Sequence, residues 1–112
     1  MRIITVPTDL ARLWETREID FTEMMKIVVD VGQGILAIDA DMHADLEQFL
    51  LENGSAQQDL WGANIYPFKG RNERLEFTSF INIRPSQGNR SMEIGDNSLK
   101  QQIEAIVNRL II

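Results

Sequence analysis

The strongest constraint on the fold is a run in the first third of the chain. Met25, Ile27, Val29 and Val31 alternate with Lys26, Val28 and Asp30. Gly32-Gln33-Gly34 follows, and then Ile35-Leu36-Ala37-Ile38. Alternation at period two is the mark of a strand, and a short glycine-bearing break between two apolar runs predicts a hairpin. A hairpin forces its strands antiparallel, so the sheet is at least partly antiparallel. The Gly-x-Gly element is not a dinucleotide fingerprint, because the third glycine and the following helix are both missing.

The remaining elements fall around this hairpin. Ile3, Ile4 and Val6 form a short β-rich run that Pro7 ends, since proline has no N–H to give to a ladder. Thr8 or Asp9 is placed to cap a helix carrying Leu10, Leu13 and Trp14, fading near residues 18–20. Asp41 is the expected N-cap of a second helix running to about Asn53, with Gly54 as its stop and Met42, Leu46, Phe49 and Leu50 as its buried stripe. Ser55 with Gln58 suits a single capped turn. A second hairpin is expected from strands 62–68 and 74–84. In its second strand Leu75, Phe77, Ser79, Ile81 and Ile83 alternate with Glu76, Thr78, Phe80, Asn82 and Arg84. A polar stretch from Pro85 to Gly95 leads to a last helix. There Ser98 and Gln101 fit a capping box, and Leu99, Ile103, Ile106, Val107 and Leu110 form the stripe. The order β-α-β-β-α-β-β-α predicts an α+β domain, three helices on a mainly antiparallel sheet of about five strands.

At 112 residues the chain is expected to be one domain spanning 1–112, because domains run to about 100–200 residues. It contains no cysteine, which excludes disulfides, thiol catalysis and Cys-based metal centres. His43 is its single histidine, which excludes a two-histidine mechanism within one chain. Asp39, Asp41, Asp45 and Glu47 cluster beside it but lack the EF-hand spacing, so no metal and no cofactor is expected. The apolar start is too short for a signal peptide, and no apolar run reaches the ~20 residues that span a bilayer. A soluble cytoplasmic protein, with no membrane partner, is the expectation.

The net charge of −6 hides an asymmetry. Residues 1–56 carry 4 basic and 11 acidic side chains, whereas residues 57–112 carry 7 and 6. Lys69, Arg71, Arg74, Arg84 and Arg90 against Glu73 and Glu76 make residues 69–90 locally basic. The overall acidity argues against a nucleic-acid partner. Trp14, Trp61 and Tyr66 also do not alternate with basic residues as a stacking platform would.

The chemically unusual segment is Asn82-Ile-Arg-Pro-Ser-Gln-Gly-Asn-Arg-Ser91, which contains no acid. Arg84 and Arg90 offer planar forks suited to carboxylate or phosphate, and Gly88 allows close backbone approach. If the second hairpin pairs symmetrically about Arg71, Asn64 faces Thr78 and Tyr66 faces Glu76. Asn64, Tyr66, Thr78, Asn82 and Arg84 then share one face. A candidate ligand set is therefore Asn64, Tyr66, Asn82, Arg84, Ser86, Asn89 and Arg90. The same residues suit a turn-making loop and the solvated face of an antiparallel sheet. His43, one turn from Glu47, is the candidate acid/base, although an exposed i,i+4 helix pair has the same spacing.

The segments His43-Ala-Asp45, Leu51-Glu-Asn-Gly-Ser55, Leu60-Trp-Gly-Ala-Asn-Ile-Tyr-Pro67 and Ile81 to Ser91 resemble a family of small uncharacterised prokaryotic proteins, a domain of unknown function. The resemblance extends over nearly the whole chain. It implies a stand-alone prokaryotic domain and carries no activity. Three functions fit the residues. One is a binding module for an anionic or polar small ligand at the 82–91 strand end and loop. Another is a small hydrolase or phosphodiesterase using His43 and Arg84. The third is a homo-oligomeric interaction subunit, with Leu110-Ile-Ile112 either finishing the core or meeting a second subunit.

Overall fold

A computed structural model describes residues 1–112. Five strands form one antiparallel sheet: β1 (Arg2–Ile4), β2 (Met25–Asp30), β3 (Ile35–Ile38), β4 (Leu60–Ile65) and β5 (Leu75–Glu76), in the spatial order β1-β3-β2-β4-β5. Three helices accompany it: α1 (Leu10–Glu15), α2 (His43–Glu52) and α3 (Asn97–Leu110). The α+β class, the element order and the antiparallel sheet follow the sequence pattern. No helix is long and apolar enough to cross a membrane.

The sheet is covered on both faces. Ile27, Val29, Leu36, Ile38, Ala63 and Ile65 pack on one side against Leu10 and Leu13 of α1 and Ile103, Val107 and Leu110 of α3. On the other side Val28, Ala37 and Leu60 pack against Leu46 and Leu50 of α2. Because both faces are covered, β4 is buried at every position, and alternation in a central strand no longer separates core from solvent. The β2–β3 hairpin turns through Val31–Gly34. Asp30 fixes that turn: its Oδ1 accepts from the Gly32 and Gln33 amides, and its Oδ2 from Ser55 Oγ. Gly34 takes a left-handed φ of 69°, which costs glycine nothing.

Several boundaries differ from the sequence expectation, each for a local reason. Asp9 caps α1, but the helix stops at Glu15. Arg17 then lies over the Trp14 ring, and the buried Asp39 carboxylate draws in the Glu18 and Ile19 amides. The N-cap of α2 is Met42, not Asp41, and Met42 is exposed rather than part of the stripe. The Asp41 carbonyl accepts from Lys26 instead. The turn after α2 is a 3-10 turn at Gln57–Asp59 without a side-chain cap, since Ser55 is committed to Asp30. Asp96, rather than Ser98, caps α3 by accepting from the Ser98 and Leu99 amides. Arg71 and Arg74 close the other end of α3 by donating to the Asn108 and Ile111 carbonyls. Leu110 and Ile111 are buried. Their segment runs beside Thr8, whose amide donates to Leu110 O and whose carbonyl accepts from Ile112.

The largest difference is in the second hairpin. Its register places Asn64 opposite Glu76 and Ile65 opposite Leu75, two residues from the symmetric pairing. A two-residue shift leaves every side chain on its expected face. Strand pairing with β4 nevertheless ends at Glu76 rather than continuing to Arg84. The chain instead pairs with a later segment: Ser79 N donates to Met92 O, and Ile94 N to Phe77 O. Ser79 Oγ then accepts from Ile81 N and opens a 3-10 turn at Phe80–Asn82. Leu75 and Phe77 join the α3-side core, Ile81 the α2-side core, and Ile83 is exposed.

This departure requires glycine at position 62. A Cβ on Gly62 would lie 2.5 Å from Ser79 Cβ and 3.2 Å from His43 Cδ2, whereas a Cβ on Gly70 would meet nothing. Gly62→Ala is expected to lose about 1–3 kcal/mol from overpacking, and Gly70→Ala to stay within about 0.5 kcal/mol of the parent. Urea denaturation of both variants checks this.

Candidate functional site

The residues of the 82–91 segment lie along the outer edge of β4, beside and beyond the point where β5 stops. Asn82 is fully buried: its Oδ1 accepts from Gly62 N at 2.9 Å, and its Nδ2 donates to Gly62 O at 2.9 Å and to Met92 O. Arg84 Nη2 donates to Leu60 O, Nη1 to Gln57 O and Nε to Ile81 O. The same Nη2 is paired with Glu47 Oε2 at 3.1 Å, and the guanidinium lies over the Trp61 ring. Burial lowers the Arg84 pKa, and the Glu47 carboxylate opposes that shift. Asn89 Nδ2 donates to the Asn82, Ser91 and Glu93 carbonyls, while its Oδ1 accepts from Gly95 N. Arg84, Asn82 and Asn89 thus hold backbone groups of this same chain. Ser86 and Arg90 are exposed on the turn that Gly88 closes at φ 80°.

Asn64, near the far end of β4, and Tyr66, just beyond it, stand apart from that loop. Asn64 Nδ2 donates to Glu76 Oε1 at 2.8 Å and more weakly to Thr78 O. Tyr66 OH reaches the same Glu76 oxygen at 3.4 Å. Burial, then the Glu76 charge, raises the Tyr66 pKa. Two acceptors on one side fix the orientation of the Asn64 amide: Nδ2 faces Glu76 and Thr78, and Oδ1 faces away. That oxygen is buried and, with the His43 ring neutral, has no hydrogen-bond partner; only the protonated ring, which the Asn64 side chain favours, would donate to it.

Asn64 forms part of the wall of a groove of about 340 Å³ between the start of α2 and residues 78–81. His43, Met42 and Ala44 line it from α2, Lys26 from β2, and Thr78, Ser79, Phe80, Ile81 and Met92 from the opposite side. Phe80 is 76% exposed and Met42 58%. His43 does not pair with Glu47, which belongs to Arg84; its Nε2 donates to Ala63 O at 2.8 Å. A carbonyl can only accept, so Nε2 carries the proton and Nδ1 of the neutral ring is an acceptor. Burial lowers the His43 pKa from 6.5. The Lys26 charge adds to that effect, and Ala63 O and the Asn64 side chain oppose it.

The sequence pattern of a family described as a protein of unknown function, DUF5674, matches residues 2–110. The chain belongs to this family. No curated protein and no solved structure matches it. Membership in DUF5674 assigns no chemistry, so the groove has to be read from its own residues.

Sequence reasoning singled out Asn64 and His43 but missed Lys26, Phe80 and Met92 as their neighbours. One signal was present: Phe80 is the one apolar side chain in the alternating set Glu76, Thr78, Phe80, Asn82 and Arg84. A second concavity, of about 370 Å³, contains Glu18, Asp39, Asp41, Asp45 and Glu52, but no three metal-binding side chains converge anywhere in the chain.

Two outcomes are expected. Arg84→Ala leaves Glu47 and the Leu60 carbonyl without their partner and should cost about 3 kcal/mol or more, against about 0.5 kcal/mol at most for Arg90→Ala. Chemical denaturation measures both. Because the folded state holds His43 below its unfolded pKa, the unfolded chain binds the extra proton. The stabilisation is full above about pH 6.5 and is lost as pH falls through the folded value. His43→Gln should flatten that part of the stability–pH curve, as read by urea midpoints between about pH 7 and pH 5.

Proposed function

We propose that the protein is a small-ligand binding module whose site is the groove between the start of α2 and residues 78–81. One observation carries this reading: the Asn64 carbonyl oxygen is buried beside the groove with no partner, and burying such a group without a hydrogen bond costs about 1–3 kcal/mol. A ligand that donates to it recovers that cost on binding. An open groove with an apolar lining and few polar groups is the usual form of a small-molecule site.

The anion-binding variant of the same module rests on the 82–91 loop. There Arg84, Asn82 and Asn89 are already engaged with backbone groups and Glu47, which leaves Arg90 and Ser86 as its accessible members. A hydrolase that uses Arg84 to stabilise developing charge would first have to break the Glu47 pair. A homo-oligomer joined through the C-terminal apolar residues would have Ile112 to offer, since Leu110 and Ile111 are inside the core.

The test is a fragment screen by two-dimensional amide NMR on the intact chain, repeated with Ala44→Trp and Arg90→Ala. Ala44 is exposed on the groove wall, so the tryptophan fills the groove without entering the core. Binders are expected to perturb His43, Asn64 and residues 78–81, to lose binding in Ala44→Trp, and to keep it in Arg90→Ala. Binders that map to residues 84–91 and depend on Arg90 would overturn the groove in favour of the loop.

A further inference from the structure

We infer that the groove takes a planar nitrogen heterocycle or aromatic amide that carries an N–H donor, with its ring on Phe80 and its donor on Asn64 Oδ1. This rests on the groove being the binding site and specifies its ligand class. Three features of the groove select that class.

The first is polarity. Glu76 and the Thr78 carbonyl hold the Asn64 NH2, so the group this wall residue leaves unpaired is its buried oxygen, and rotating the amide would set that oxygen against a carboxylate. His43 also keeps its donor for Ala63 O, so its remaining nitrogen accepts. The one cation of the groove, Lys26, has its ammonium on the Asp41 carbonyl. The Asn64 oxygen and the free His43 nitrogen are two acceptors on neighbouring walls, and a ligand bearing N–H donors matches them.

The second is shape. Phe80 presents an exposed ring beside the groove, and an aromatic face accepts a flat heterocycle by offset stacking. Nothing in the core requires a phenylalanine there: Phe80 belongs to neither apolar cluster. The third is adaptability. Met42 and Met92 flank the groove, and thioethers rotate readily and pack against ring edges, so they can part to let a flat ligand reach the Asn64 oxygen. The volume of about 340 Å³ lies at the low end for small-molecule sites and suits one or two fused rings rather than a whole nucleotide.

The experiment uses matched probes on the intact protein, followed by two-dimensional amide NMR titration. 9-Methyladenine and benzamide each carry an N–H donor. 9-Methylpurine and methyl benzoate keep the ring and lack the donor, and benzoate is the anion. The donor-bearing member of each pair is expected to bind at least about tenfold more tightly, the worth of one hydrogen bond to an otherwise unpartnered buried oxygen. Phe80→Ala, at an exposed position, should weaken every ring probe by about tenfold while leaving the fold intact. Asn64→Leu should abolish the preference for donors. Equal affinity within each pair, with shifts still at the groove, would overturn the ligand class and leave the binding site standing. Tightest binding of benzoate would also overturn it. No shift at His43, Asn64 or residues 78–81 with any probe would remove the site and this inference together.

Discussion

The structure depends on how the outer edge of β4 is satisfied. A central strand buried at every position must pair both rows of its backbone groups, and β5 covers only Asn64 and Ile65 of it. The Asn82 side chain completes the row. Its amide has a donor and an acceptor at the spacing of a peptide group, and it takes both the N–H and the C=O of Gly62, as a neighbouring strand would. Arg84 continues the edge at the Leu60 and Gln57 carbonyls, and Gln87 reaches Gln58 O. Side chains thus replace a strand where the chain has turned away to meet Met92 and Ile94.

That substitution explains both the composition of residues 82–91 and why it invites a functional reading. Amides and guanidinium forks are the groups that recognise polar ligands, and they are equally the groups that recognise backbone. A sequence lists donors and acceptors without saying whose backbone they meet. The strand alternation of residues 75–84 was legible for the same reason it misled. The period-two pattern is real through Glu76, but no pattern announces that Ser79 will bond its own Ile81 amide and end the strand. Serine acts there through local hydrogen bonding, which competes with a ladder over a distance of two residues.

What the sequence did specify well were the elements whose apolar spacing is set by one packed face. The β2–β3 hairpin, the α3 stripe and the stop at Gly54 all lie where period and turn chemistry place them. The start of α1 lies at Asp9 as expected, while those of α2 and α3 shifted by one and two residues, because several nearby residues can cap and only tertiary contacts choose among them; Asp96 over Ser98 is the example. The candidate site was half legible. Asn64 and His43 stood out as residues, but their meeting across β4 depends on Gly62 allowing His43 and Ser79 to close on the same strand.

The pairing of Thr8 with Ile111 has a consequence for the order of folding. The β2–β3 hairpin joins residues a few positions apart, so its loop closes at little entropic cost and can form early. Thr8 and Ile111 meet across about a hundred residues, and the two hydrogen bonds of Thr8, to Leu110 and Ile112, return nothing until nearly the whole chain lies between them. The contact that fastens α1 beside α3 therefore carries a far larger loop-closure cost than the hairpin, and it is expected to form after it.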